Sequence, residues 1–144
     1  MTALLAHLQV PGPFPNPVTR PFWDAVQNHQ LALQRCADCR KWVFYARHHC
    51  PHCWSQTLSW EAASGKGVLK SFSVIHRAGH PAWQAATPYL IALVQLDEGP
   101  TMLSQLLVDD PTQARIGGAV SLRCVQVGER MLPFFEPSGD DHAN

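Results

Sequence analysis

The sequence predicts a mainly β chain: a short N-terminal helix, then a zinc ribbon, then a five-stranded barrel of the OB type. Three observations predict it. Four of the five cysteines fall within "CADCRKWVFYARHHCPHC", residues 36–53, at the spacing C-x2-C-x10-C-x2-C. From Val68 onward, short apolar runs alternate with Gly, Pro and Asp punctuation and show no helical period. Ahead of both, "TRPFWDAVQNHQ" sets Phe22 and Val26 one helical turn apart.

The chain has 144 residues, enough for one ordinary domain or two small ones sharing a surface. Hydrophobic residues make up 46% and charged residues 15%, which supports a folded core and argues against disorder. Lys+Arg and Asp+Glu are both 11, so the formal charge is zero. A nucleic-acid binder normally carries a basic surplus to displace phosphate counterions, and this chain has none. It also lacks the polybasic run that suits an anionic membrane. No segment approaches the roughly 20 apolar residues of a spanning helix. The apolar patch Ala3 to Leu8 has no cation ahead of it and is too short for a signal core. The expectation is a cytoplasmic protein whose thiols stay reduced.

Residues 1–32 read as a proline-rich arm followed by the short helix. Pro11, Pro13, Pro15, Pro17 and Pro21 disfavour helix and ladder pairing, leaving an extended arm that is either a loose or self-packed tail or a strap across a partner. In the helix, Thr19 is placed to cap, Pro21 fits the first turn and Asp24 lies near the positive dipole end. Phe22 and Trp23 are large for so short a helix. They pack either on the chain's own domain or on another subunit.

Residues 33–64 read as the ribbon. "LALQRC" is a strand into the first cysteine pair, "KWVFYAR" a second and "LSWEAA" a third. Two C-x2-C turns at hairpin tips bring Cys36, Cys39, Cys50 and Cys53 to the corners of a tetrahedron, the arrangement of a structural zinc site. Iron bound as in rubredoxin uses the same ligands. Disulfides do not suit a reducing compartment, and neither pair sits at a helix start as a thioredoxin-type site requires. His48, His49 and His52 are read as surface or second-sphere groups.

Residues 65–137 read as the barrel, opening at the "SGKG" break. "GVLKSFSVIH" is expected to place Val68, Phe72 and Val74 on one face. "YLIALVQLD" reads as a central strand, "TMLSQLLV" as the next, and "AVSLRCVQV" and "MLPFFEP" as the last pair. Residues 138–144 are expected to be a disordered tail. Cys124 reads as a small buried hydrophobe. The connection "IHRAGHPAWQAATPYL" carries His76, Arg77 and Trp83, groups suited to gripping a phosphate and stacking an adenine. Its plain alternative is an exposed loop whose Trp83 covers core. No nucleophile elbow, P-loop, dinucleotide fingerprint or HExxH occurs, so no catalytic residue is assigned.

Taken in order, "PFWDAV", "LALQRCADC", "CPHC", "SGKGVLKSFSVIHRA", "TPYLIALVQLDEGP", "RIGGAVSL" and "LPFFEP" resemble a known family. These are the acyl-CoA-associated proteins joining a rubredoxin-like zinc ribbon to a C-terminal OB-fold, long known as a domain of unknown function. The likeness runs from Thr19 to Pro137. It implies a small partner of a thiolase-like enzyme in a hetero-oligomer, with the catalytic groups on that enzyme. The small chain would bridge subunits and bind or channel acyl-CoA in thiolysis, acyl transfer or retro-aldol chemistry of sterol and aromatic degradation. By the same likeness Cys36, Cys39, Cys50 and Cys53 are the zinc ligands. On this reading acyl-CoA meets His76, Arg77 and Trp83, and Phe22 and Trp23 meet the partner. An alternative of another class is a single-strand nucleic-acid binder, which OB barrels and zinc ribbons also serve.

The chain departs from the family at two turns. Where glycine usually follows each C-x2-C, it has Arg40 and Trp54, costing of order 1 kcal/mol each if the left-handed backbone is kept. "YAR" replaces the usual proline pair.

Overall fold

In a computed structural model, residues 2–138 are described, and the tail expected over 138–144 lies outside them beyond Ser138. The chain runs α1 (Thr2–Leu5), α2 (Arg20–Gln27), β1 (Ala32–Cys36), β2 (Trp42–Val43), β3 (Leu58–Ala62), β4 (Lys66–Ile75), β5 (Tyr89–Leu96), β6 (Thr101–Leu106), β7 (Ala119–Val127) and β8 (Arg130–Pro137). Strands β2-β1-β3 form a small antiparallel sheet, and β4-β5-β6-β8-β7 close a barrel. Among the described residues only β6 and β8 pair parallel, at Leu106 and Phe135, which closes the barrel. Among the described residues no helix is long and apolar enough to cross a membrane.

The arm packs on its own barrel. Leu5 and Leu8 are buried with Val125, Val127, Leu132 and Phe134, each worth roughly 1.5–3 kcal/mol of burial. Gly128 lets the arm come this close: a Cβ there would lie 2.1 Å from the Leu8 carbonyl oxygen, and its φ is +60°. The Gly128 amide donates to Leu5 O at 3.0 Å. Farther along, the Arg130 guanidinium donates to Pro13 O and lies 4.8 Å over the Phe14 ring.

Helix α2 forms where expected, but its start differs. Thr19 occupies the N-cap position without a side-chain cap bond. Asn16 acts instead, its side chain accepting from the Val18 and Thr19 amides at 3.0 Å each. Asp24 lies beyond the first turn, so the dipole argument does not reach it. The helix stops at a left-handed His29, φ 59°, whose neighbour Gln30 donates back to Ala25 O. Phe22 and Val26 are buried in one core with Leu31, Leu33 and the barrel residues Leu69, Val94 and Phe135. Helix, ribbon and barrel therefore share an interior.

The second ribbon strand is shorter than expected, Trp42–Val43 only. Past it, the Gln34 carboxamide replaces the ladder, donating to Arg47 O and accepting from Arg47 N at 2.8 Å each. That explains a buried glutamine at 5% exposure.

Strand β4 corrects the expected phase. Val68 is 40% exposed, while Gly67 and Leu69 face inward. A register shift between Leu69 and Ser71 inserts one residue, and Phe72 and Val74 then turn toward the core. Gly67 has no room for a side chain, since a Cβ would stand 2.3 Å from Gln95 O.

Candidate metal centre and the ribbon–barrel seam

The cysteine turns are built by backbone bonds. Arg40 N donates to Cys36 O and Trp54 N to Cys50 O, at 2.8 Å each. The Cys39 and His52 amides point at the sulfurs of Cys36 and Cys50, at 3.5 and 3.4 Å. Closing the turns this way demands left-handed backbone, and Arg40 and Trp54 adopt it at φ 64° and 66°. The glycine-like geometry is therefore kept without glycine.

The four sulfurs of Cys36, Cys39, Cys50 and Cys53 lie within 4.8 Å of one another. Cys36–Cys53 and Cys39–Cys50 are each 3.6 Å apart. Thiolates ~2.3 Å from a tetrahedral zinc ion stand about 3.8 Å apart, so the set fits that ion. Protons are shared unequally among the sulfurs. The Cys39 amide foremost draws Cys36 from 9.0 down to about 6, against desolvation. For Cys53 the Ser55 amide pulls down, but desolvation and the neighbouring thiols prevail and push it up to about 12. Such crowding favours a divalent cation that replaces the protons and lets all four ionise. Four protein ligands leave no position for a reacting water, so this donor set scaffolds rather than catalyses.

A clasp outside the sulfurs ties the two turns together. Asp38 Oδ2 accepts from the Ser55 hydroxyl and, at 3.0 Å, from the Thr57 hydroxyl. Those bonds, Ser55 first, hold its carboxyl below the ordinary 3.8. His49 bonds Gln56 at 2.8 Å, and its ring leans on Trp54.

Two cavities adjoin where ribbon meets barrel, and both use Val43 and Phe44 as walls. The first, about 240 Å³, is apolar and walled by aromatic rings of Phe22, Trp23, Phe44, Tyr45, Trp60 and Phe134. The second, about 640 Å³, is lined by the exposed cations Arg40, Lys41 and Arg47, with His52, Trp42 and one acid, Glu98. Strand β6 also serves both, Thr101 facing the basic cleft and Met102 to Ser104 the apolar pocket.

The residues singled out from sequence are distributed as follows. Phe22 is buried and Trp23 half-buried, packed against the chain's own ribbon and barrel, their rings 5.0 Å apart edge-on. His76 and Arg77 are exposed just beyond β4. Trp83 sits in a 3₁₀ turn, Pro81–Ala86, half-buried against Tyr89 and Phe134, at 5.9 and 6.5 Å between ring centres. Phe134 also lines the apolar pocket, whereas Trp83 does not. Cys124 is buried in the main core, and burial pushes its thiol up to about 11. The seam itself escaped sequence reasoning. Its nearest signal was the adjacent cations Arg40 and Lys41 at the end of the first cysteine turn.

Comparison with known proteins agrees with this architecture. Residues 23–59 match the ChsH2 rubredoxin-like zinc ribbon domain, and residues 60–125 match the ChsH2 C-terminal OB-fold domain. A DUF35 domain-containing scaffold protein of Methanocaldococcus jannaschii is 34% identical over 125 residues, covering 86% of this chain and 82% of that protein. The 3-oxo-4,17-pregnadiene-20-carboxyl-CoA hydratase alpha subunit of Mycobacterium tuberculosis is 35% identical over 120 residues, 81% of this chain. This chain spans 36% of that subunit and 37% of a probable enoyl-CoA hydratase alpha subunit from Thermomonospora curvata. Among solved structures, an Ltp2-ChsH2(DUF35) aldolase chain superposes with a TM-score of 0.77 at 32% identity, covering 88% of this chain and 98% of that one. Ribbon, barrel and relatives agree that the chain belongs to the DUF35 family, in which a ChsH2-type zinc ribbon precedes an OB-fold.

Proposed function

We propose that this chain is a non-catalytic accessory subunit of a thiolase-like complex (a thiolase, acyltransferase or retro-aldolase), binding or channelling acyl-CoA and bridging subunits of a hetero-oligomer. The observation that carries this reading is the seam. An acyl-CoA is a polyanionic head joined to an apolar acyl group, and here a basic cleft and an apolar pocket share the walls Val43 and Phe44. Arg40, Lys41 and Arg47 would meet phosphates, and Trp42 offers a ring for the adenine. His76, Arg77 and Trp83, outside the lining of both cavities, are the second candidate contact. A zinc ion held by four thiolates keeps the ribbon wall in place, and reactivity comes from the companion enzyme. The reduced thiolates this requires suit the cytoplasm.

Names of relatives support the reading at a coarser level: a scaffold protein, alpha subunits of hydratases, and a chain solved with an aldolase. For the partner, exposed apolar groups gather beside the pocket. Tyr45 is 57% exposed, Leu103 53% and Leu93 38%, and Leu93 and Leu103 are cross-strand neighbours. Trp23 adds its uncovered face, with Phe22 fixing it from below.

Calorimetric titration of the zinc-loaded chain with CoA tests the ligand half. The triple variant Arg40→Ala/Lys41→Ala/Arg47→Ala is expected to bind at least tenfold more weakly. His76→Ala/Arg77→Ala measures the second contact. Equal affinity of wild type and both variants removes the proposal. Co-expression with a thiolase-like subunit tests the other half: the two elute together on size exclusion, or the bridging role is lost.

A further inference from the structure

We infer that the N-terminal arm is an exchangeable element. The seat it fills on the β7–β8 hairpin also takes the arm of a second copy of the chain, giving a dimer by reciprocal exchange. Neither acyl-CoA nor the companion enzyme enters into this contact.

Arm and seat form a matched pair. Leu5 and Leu8 are the only buried residues between positions 3 and 20. They share a core with Val125, Val127 and Leu132 of the hairpin, where Val125 and Leu132 are cross-strand partners, and with Tyr89 and Leu107 beside it. Lifting the arm bares that apolar sheet face, which then needs another cover. Among the described residues, both hydrogen bonds that the arm makes outside itself also end on this hairpin. The Gly128 amide donates to Leu5 O at 3.0 Å, and the Arg130 guanidinium donates to Pro13 O. Arg130 further stacks on the Phe14 ring at 4.8 Å. Gly128 completes the fit, since a Cβ there would lie 2.1 Å from the Leu8 carbonyl oxygen. A seat that recognises residues 5–14 alone does not register which molecule supplies them.

The hinge favours exchange. Arg130 fixes the chain at Pro13 and Phe14, and Asn16 fixes it again, accepting from the Val18 and Thr19 amides at 3.0 Å each. Pro15 alone remains between these anchors, and its ring locks φ. A hinge so short and stiff folds back poorly on its own body, which lowers the effective concentration of the arm at its own seat and invites swapping. Every contact of the closed form is remade in the exchanged pair, so exchange is a low-cost route to a dimer. Residues 2–19 contain no Asp, Glu, Lys or Arg, so two arms do not repel each other as they cross.

The test uses the full zinc-loaded chain. Isotopically labelled and unlabelled wild type are concentrated together and followed by native mass spectrometry and light scattering. The dimer fraction is expected to rise at least fivefold between about 10 µM and 1 mM, with mixed-mass dimers present. Leu5→Asp/Leu8→Asp spoils the arm and Gly128→Ala spoils the seat, and each should lower the dimer fraction at least tenfold. Mixed in equal amounts, these two variants should pair again, because an intact arm of one meets an intact seat of the other. Circular dichroism and zinc content confirm that each variant folds. Where one does not, insertion of Gly-Ser-Gly-Ser between Pro15 and Asn16 takes its place: the longer hinge lets each arm reach its own seat and should lower the dimer fraction at least fivefold. A wild type that stays monomeric throughout overturns the inference, the arm then holding only its own seat. A dimer that survives the arm and seat variants, or the insertion, overturns it too, because another surface then holds it. So does the failure of the two folded variants to pair when mixed.

Discussion

Replacing Trp54 by glycine should stabilise the ribbon, although it deletes its most exposed aromatic. Trp54 is held at φ 66° by the bond from its amide to Cys50 O, and it is 77% exposed. A left-handed L-residue costs about 1–2 kcal/mol, and glycine removes that cost. Against it stand the greater freedom glycine regains on unfolding, roughly 0.5–1 kcal/mol, and the loss of a tilted contact with His49. So little indole surface is buried that no large packing term opposes the change. The net is a gain of up to about 1 kcal/mol, and since metal binding and folding are coupled in a ribbon, this reads as zinc held up to about fivefold tighter. Chelator competition measures it directly. Trp54→Ala is the control, because it deletes the indole but keeps a Cβ in the left-handed region. It should hold zinc no better than wild type. Equal tightening by alanine and glycine, or weaker binding by the glycine variant, would refute the argument from backbone strain. Arg40→Gly, at φ 64°, should gain by the same mechanism.

Other consequences follow from the same packing. Cys39→Ala removes one corner of the tetrahedron and should abolish zinc binding and unfold residues 33–60; full metal content by elemental analysis would contradict this. Gly128→Ala forces a Cβ to 2.1 Å from the Leu8 carbonyl oxygen, so the arm must lift from Val125 and Val127. A loss of about 2–4 kcal/mol is expected, read as a fall in melting temperature. Cys124, at about 11 against 9.0, has only about one ten-thousandth of its thiol ionised at pH 7. It should resist alkylation in the folded protein and react after denaturation. Its neutral form is favoured by folding, so its contribution is full below pH 9 and lost as pH rises toward 11.

Much of this fold is legible because its signals are local. Cysteine spacing alone specifies two turns and four converging sulfurs, and alternation specifies the strands of the barrel. Alternation alone puts Val68 inward, but a single inserted residue near Lys70 inverts the phase, and no residue type announces a bulge. Threonine caps helices well, which points to Thr19, yet the Asn16 side chain takes the Val18 and Thr19 amides. The seam was invisible for a deeper reason. Val43, Trp60, Met102 and Phe134 are far apart in the chain, and only docking of ribbon on barrel makes them walls of one pocket. Gln34 follows the same rule: its partner, Arg47, lies thirteen residues away.

Native mass spectrometry of the freshly purified chain, with thiol counting on the same sample, probes the foundation most directly. The account predicts one zinc per chain and no bond between cysteines, with the ion retained when the companion enzyme is absent. A metal-free mass with Cys36, Cys39, Cys50 and Cys53 oxidised to one another would contradict it.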